Sequence, residues 1–218
     1  MFKNKTLLIT GGTGSFGKVA IKYALNLKFK KIIIFSRDEL KQYQLKQKYP
    51  QKNLRFFIGD IRDYDRLEHA TKEVNYIIHA AALKQVDTAE YNPLEAIKTN
   101  IIGAENVIKA AIQNSVEKVM ALSTDKAANP INLYGATKLC SDKLFIAANN
   151  YTGNRKVSFS ITRYGNVIGS RGSVMHVFNK QAKSNLFTIT HPEMTRFWIS
   201  IEDGVSFAFE NLNRMIGG

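Results

Sequence analysis

Thr6-Leu7-Leu8-Ile9-Thr10-Gly11-Gly12-Thr13-Gly14-Ser15-Phe16-Gly17 opens on an almost wholly apolar run and closes on a spaced set of glycines. A short apolar run of this kind reads as a strand covered on both faces. Gly12, Gly14 and Gly17 satisfy G-x-G-x-x-G, and Gly11, Gly14 and Gly17 satisfy G-x-x-G-x-x-G. The first glycines permit a tight turn and the close approach of backbone N–H groups to a pyrophosphate. The last lets the following helix pack closely, and the helix N-terminus supplies positive potential. A glycine triplet alone is a weak signal. Its place between a first strand and a first helix is what gives it meaning.

The same alternation runs outward along the chain. Strands are predicted over 6–10, 32–36, 54–58, 75–79, 118–123 and 157–163, and helices over 17–27, 38–48, 63–72, 92–114 and 134–151. In the fourth helix Ile97, Ile101, Ala104, Val107, Ile108 and Ala111 make one apolar stripe. Strand–helix repetition at this pace builds βαβ units, a parallel sheet and right-handed crossovers. The predicted fold is a Rossmann-type, doubly wound α/β domain over 1–171. After Tyr164 the alternation loosens, and residues 172–218 read as a partial substrate lobe.

Composition bounds the function. The chain has 218 residues, 44% hydrophobic and 22% charged, which excludes disordered and fibrous classes. Its apolar runs are far shorter than a membrane span. Met1–Lys5 leads straight into the first strand, so no signal peptide is expected. The single cysteine, Cys140, excludes an internal disulfide and fits a reducing, cytoplasmic setting. The net charge of +13 is local, because residues 1–52 hold 12 Lys/Arg against 2 Asp/Glu. Aromatics are not interleaved with those lysines as stacking platforms, so the basic segment reads as a solvated surface rather than a nucleic-acid footprint. His69, His176 and His191 make no metal-ligand pattern, and His79 reads as structural.

Two stretches carry chemistry. The second strand ends Ser36-Arg37-Asp38, where an acidic residue would bind the ribose 2′-OH of NAD. Arg37 suits a 2′-phosphate instead, with Lys41 one turn on and Asp38 open to a role as helix cap, so NADP is the expected cofactor. Gly59-Asp60-Ile61 follows the third strand, and Asp60 is open to two readings, an adenine acceptor or a turn residue. The fifth strand ends Ser123-Thr124-Asp125-Lys126, followed by Tyr134 and Lys138 one helical turn apart. A nearby ammonium would lower the phenol's pKa and make Tyr134 a base for a hydroxyl proton.

TGGTGSFGK (10–18), FSRDELKQ (35–42), GDIRD (59–63), HAAALKQV (79–86), STDKAANPINLYGATK (123–138), RYGNVIGSRGSV (163–174) and MTRFWIS (194–200) together resemble the extended short-chain dehydrogenase/reductases. They are most similar to the inverting UDP-N-acetylglucosamine 4,6-dehydratases of pseudaminic-acid and capsular-sugar biosynthesis. The resemblance implies a cytoplasmic, homo-oligomeric lyase acting on UDP-N-acetylglucosamine or a related UDP-sugar. It implies transient C4 oxidation by NADP, with Lys126 as the base at C5, Asp125 as the acid at the departing C6 hydroxyl, and Thr124, Tyr134 and Lys138 completing the catalytic set. Retaining dehydratases carry Asp-Glu in place of Asp125-Lys126, and 4-epimerases lack the pair. The alternatives are a sugar-nucleotide 4-epimerase or reductase, or a catalytically impaired NADP-binding protein.

By the same resemblance the cofactor is held by Gly11, Gly12, Thr13, Gly14, Ser15, Phe16 and Gly17, by Ser36, Arg37, Asp38, Glu39 and Lys41, and by Asp60 and Ile61. Ala80, Ala81, Lys84, Asn100, Tyr134, Lys138, Val167, Ile168, Gly169, Ser170 and Arg171 complete that set, while Lys84, Asn166, Val174 and Thr190 are the implied substrate contacts. Gln85-Val86-Asp87 departs from a more usual His-Val-Pro, and Met175–Phe178 from a proline-containing run. Relatives continue past Gly218 into more of the sugar-nucleotide lobe, which is expected to be incomplete here.

Overall fold

The computed structural model describes residues 2–170, 173–184, 186–189 and 191–217. Strands β1 (Thr6–Thr10), β2 (Lys31–Ser36), β3 (Leu54–Ile58), β4 (Tyr76–His79), β5 (Lys118–Thr124) and β6 (Ser158–Tyr164) form one sheet in the order β3-β2-β1-β4-β5-β6. Every pairing in it is parallel. The predicted doubly wound sheet is what the chain builds. The strand order reverses between β1 and β4, so the loops leaving their carboxyl ends diverge and open a crevice there.

Period-two geometry divides the core into two layers. Leu7 and Ile9 of β1 face helices α1 (Ser15–Asn26), α2 (Glu39–Lys48) and α9 (Ile201–Arg214), which contribute Ile21, Leu45 and Phe209. Leu8 faces α3 (Tyr64–Ala70), α6 (Gly103–Gln113) and α7 (Leu133–Ala148), which contribute Leu67, Val107 and Phe145. Phe145 and Phe209 are buried. Truncating either ring to alanine leaves a cavity costing about 3–5 kcal/mol.

Two predicted elements come out differently. The helix expected over 92–114 is three pieces: α5 (Pro93–Ile97), a π-helical turn (Lys98–Ile102) and α6, preceded by α4 (Val86–Tyr91). The widened turn rotates the buried face. Thr99 and Asn100 are buried, while Ile97 and Ile101 of the expected stripe are only partly so. The boundary at 171–172 also fails to follow the packing. Val205, Ala208, Phe209 and Leu212 of α9 join the core beside α1, because their spacing makes one apolar face that the sheet can cover. What stands apart is α8 (Val174–Gln181) with β7 (Asn166–Val167) and β8 (Trp198–Ile199), a two-stranded parallel pair. Among the described residues no helix is long and apolar enough to cross a membrane.

Candidate active site

The crevice at the carboxyl edge of the sheet is a cleft of about 750 Å³ that runs from the glycine loop to β7. Gly11 sits at φ +65°, and a Cβ there would lie 2.8 Å from the Ala81 backbone, so only glycine lets the loop pass this close to the turn after β4. A Cβ on Gly17 would lie 2.2 Å from the Gly12 carbonyl oxygen. Glycine therefore lets α1 rise straight out of the loop. Helix α1 starts without a side-chain cap or an acidic residue in its first turn, whereas Asp38, Asp63, Asn132 and Ser200 cap α2, α3, α7 and α9. No acidic residue of its own first turn therefore competes with an anion for the positive end of α1.

Three buried hydroxyls among the described residues, on Thr99, Ser141 and Ser173, have no hydrogen-bond partner. Thr99 and Ser173 line the cleft. An unpaired buried hydroxyl costs about 1–3 kcal/mol, so both fit a polar ligand that would satisfy them. The glycine loop, the N-terminus of α1 and these two hydroxyls together fit a dinucleotide.

At the end of β2, Arg37 lines the cleft with its side chain 55% exposed and its guanidinium 3.5 Å from Asp60 Oδ2. Asp38 caps α2 by accepting from the Lys41 N–H at 2.9 Å, and its other oxygen pairs with the Lys41 ammonium. Asp38 thus caps the helix and also lines the cleft. Asp60 accepts from the Arg62 backbone N–H at 3.0 Å and from Arg62 Nε at 2.9 Å. Burial would raise its pKa, but those bonds and the charges of Arg62 and Arg37 hold the carboxyl below its ordinary value. Asp60 lines the cleft as an arginine-bound turn residue.

The end of β5 carries the groups expected to react. Thr124 Oγ1 donates to Asp125 Oδ1 at 2.9 Å, and Lys126 Nζ stands 3.0 Å from that oxygen and 2.8 Å from Asn166 Oδ1. Burial works against the Asp125 carboxylate, but hydrogen bonds from Lys126 and Thr124 outweigh it and hold its pKa down. The Lys126 side chain is 35% exposed and ion-paired with Asp125. It is Lys138 that is buried, donating to the Leu122 carbonyl at 2.8 Å. Desolvation pushes its ammonium down to about 8, with Asp142 opposing.

Tyr134 corrects an expectation. Its phenol is pushed up, first by burial and then by the Asp125 and Asp142 charges, with only the Thr124 hydroxyl acting the other way. Lys138 is one turn along α7 but is engaged by Leu122, so in this state its ammonium does not depress the phenol. His79 is structural, as expected. Its Nδ1 lies 2.8 Å from Thr10 Oγ1, and burial plus the Lys138 charge push its pKa down to about 3.

The cleft also gathers Thr13, Gly14, Ser15, Phe16, Ser36, Lys41, Ile61, Ala80, Ala81, Lys84, Val167, Ser170 and Val174. Lys84 Nζ reaches Ser170 Oγ at 3.5 Å across it, and burial lowers that ammonium's pKa. Gly12, Gly17, Glu39, Ile168 and Gly169 are not on its wall, nor is Asp125, which is hydrogen-bonded to Lys126. Asn100 is a correction. Its carboxamide accepts from Leu83 N–H at 2.9 Å and donates to Leu83 O and Thr137 Oγ1 at 2.9 and 3.0 Å, so it braces the loop after β4 against α7. Arg171 and Thr190 lie outside the described residues. Sequence reasoning missed Thr99, Ser173 and Tyr164 on the wall. Thr99 gave no signal, because only the π turn brings it inward. Tyr164, an aromatic ending a strand just before Gly165, was readable.

Comparison with known proteins places this geometry. Residues 7–218 match the family described as polysaccharide biosynthesis protein. A UDP-N-acetylglucosamine 4,6-dehydratase (inverting) from Campylobacter jejuni subsp. jejuni serotype O:23/36 (strain 81-176) is 59% identical over 221 residues, covering 100% of this chain. A UDP-glucose 4-epimerase from Rickettsia bellii (strain OSU 85-389) is 50% identical over 96% of the chain. The chain spans just under two thirds of these relatives, 66% and 64% of their lengths. The X-ray structure of Pen from Bacillus thuringiensis is 42% identical with a TM-score of 0.96, covering 100% of this chain and 68% of that one.

Proposed function

The chain belongs to the polysaccharide biosynthesis protein family, and from that premise we propose that it acts as a UDP-N-acetylglucosamine 4,6-dehydratase that inverts C5, with NADP as cofactor. One observation carries this reading. The hydrogen-bonded pair Asp125–Lys126 stands at the end of β5, and Lys126 lines the same cleft as Tyr134, Lys138 and the glycine loop. Elimination next to a transient ketone needs both a base and an acid, and this pair offers one of each.

The glycine loop and the N-terminus of α1 would hold the dinucleotide's pyrophosphate, and Arg37 its 2′-phosphate. When bound, the oxidised nicotinamide supplies reversible two-electron chemistry between sugar C4 and C6 and a positive charge that favours the Tyr134 phenolate. Tyr134 takes the C4 hydroxyl proton, and the resulting ketone makes C5–H acidic. Lys126 takes the C5 proton as a neutral amine, while Asp125 gives a proton to the departing C6 hydroxyl. A single proton shift across the 3.0 Å Lys126–Asp125 contact turns the resting ion pair into that amine and acid. Exclusion of water by substrate favours the neutral pair, because an ion pair loses more solvation than its uncharged form. Reprotonation of C5 from the opposite face inverts the centre.

The likeness to a UDP-glucose 4-epimerase favours a second reading, exchange of configuration at C4 alone. That reaction leaves C5–H untouched and gives the Asp125–Lys126 pair nothing to do. Incubation with UDP-N-acetylglucosamine and NADP, followed by NMR, separates the two. Dehydration gives a 4-keto-6-deoxy sugar, epimerisation a C4 epimer that keeps its C6 hydroxyl, and the second product alone would reject the proposal.

A further inference from the structure

Helix α7 carries Tyr134, Lys138 and Asp142 at successive spacings of four, on one face turned toward the sheet. Asp142 has no place in the chemistry above, yet its side chain is only 3% exposed. Its Oδ2 accepts from Ser123 Oγ at 2.8 Å and from Arg163 Nε at 2.8 Å. Ser123 and Arg163 are register partners on β5 and β6, immediately before Thr124 and Tyr164. One turn back along α7, Lys138 donates to Leu122, the residue before Ser123. Two consecutive residues of β5 are therefore clamped to two consecutive turns of α7, next to where Thr124, Asp125 and Lys126 leave the sheet.

We infer that Asp142 is a positioning residue that locks the Tyr134–Lys138 turn of α7 onto β5 and supplies the buried counter-charge for the Lys138 ammonium. A buried carboxylate is retained at a cost in desolvation, and here it is matched by a serine and an arginine rather than left alone. The ionisable groups around it are few. His79 faces Lys138 from β4, held neutral by burial; Tyr134 lies on α7 itself; Arg163 and Tyr164 come from β6; and Asp125 follows β5. Of these, Asp142 is the carboxylate that acts on Lys138, favouring its charged form against desolvation. Arg163 pairs with the same carboxylate at 2.8 Å.

This inference rests on reading Tyr134 and Lys138 as the reacting pair, but its test needs neither substrate nor turnover. The midpoint of Lys138 is followed by NMR of selectively isotope-labelled lysine, with the resonance identified by its loss in Lys138→Arg. Asp142→Asn, which keeps the side chain's shape, is expected to lower the Lys138 midpoint by about one pH unit. Asp142→Glu, which keeps the charge, restores it. Arg163→Met, which unshields the carboxylate, raises it by about half a unit. An unchanged midpoint in folded Asp142→Asn overturns the inference; should that variant not fold, an unchanged midpoint in Arg163→Met does so. Either failure leaves the dehydratase proposal standing, since product formation is measured separately.

Discussion

The Lys126 ammonium nitrogen lies 2.8 Å from the carboxamide oxygen of Asn166, forty positions away in sequence. The contact joins the end of β5 to β7, the first strand of the small parallel pair. It holds the proposed base on the wall of the cleft, where Asp125 also contacts it.

Lys126→Ala should therefore remove elimination and spare part of the oxidation, because the two steps use different bases. Single-turnover nicotinamide absorbance is expected to show slow reduction without loss of the C6 hydroxyl, and product formation to fall about 10²–10⁴-fold. Near-normal product formation would show that Lys126 is not the base. Tyr134→Phe should stop both steps.

Arg37 lines the cleft with Asp60 as its ion-pair partner. A charge-assisted contact to a 2′-phosphate is worth roughly 1.5–3 kcal/mol, so NADP should bind about tenfold to a hundredfold more tightly than NAD. Titration calorimetry on Arg37→Ala is expected to show that preference gone. Equal affinities in the unsubstituted protein would reject the assignment.

His79 makes stability depend on acid. Its pKa falls from 6.5 to about 3 through burial and the Lys138 charge, so the folded protein stays neutral there while the unfolded chain takes up a proton. The unfolded state then binds more protons, and stability, fully present above 6.5, is lost as the pH falls toward 3. Between about pH 7 and about pH 5 the loss from this residue alone is about 2 kcal/mol. Urea unfolding at the two pH values should show that slope, and His79→Asn should flatten it.

Gly17→Ala places a methyl group 2.2 Å from the Gly12 carbonyl oxygen, a backbone atom that cannot step aside. Overpacking of this kind costs at least about 1–3 kcal/mol, and cofactor affinity should fall with it. Gly204→Ala is the control. Its Cβ meets nothing within 4 Å, and α9 gains about 0.5–1 kcal/mol from better helix propensity. Chemical denaturation distinguishes the two; equal stabilities would contradict the loop geometry.

Much of this protein was legible in one dimension. Apolar runs such as Ile32–Phe35 marked the strands to within a residue, because a strand buried on both faces leaves no choice of residue type. The glycine spacing, the position of Arg37 and the Tyr134–Lys138 turn were readable for a similar reason: each is a local geometry needing particular residues at fixed intervals. What tertiary structure alone decided depends on chain segments meeting from afar. The π turn that buries Thr99 follows from packing against the turn after β4 and α7, and no periodicity announces it. The return of α9 to the sheet, the depressed ammonium on Lys138, and the shared grip of Ser123 and Arg163 on Asp142 follow likewise from which groups the fold desolvates together. Desolvation is a property of neighbours in space, and so it was the fold that set the charge states of the site.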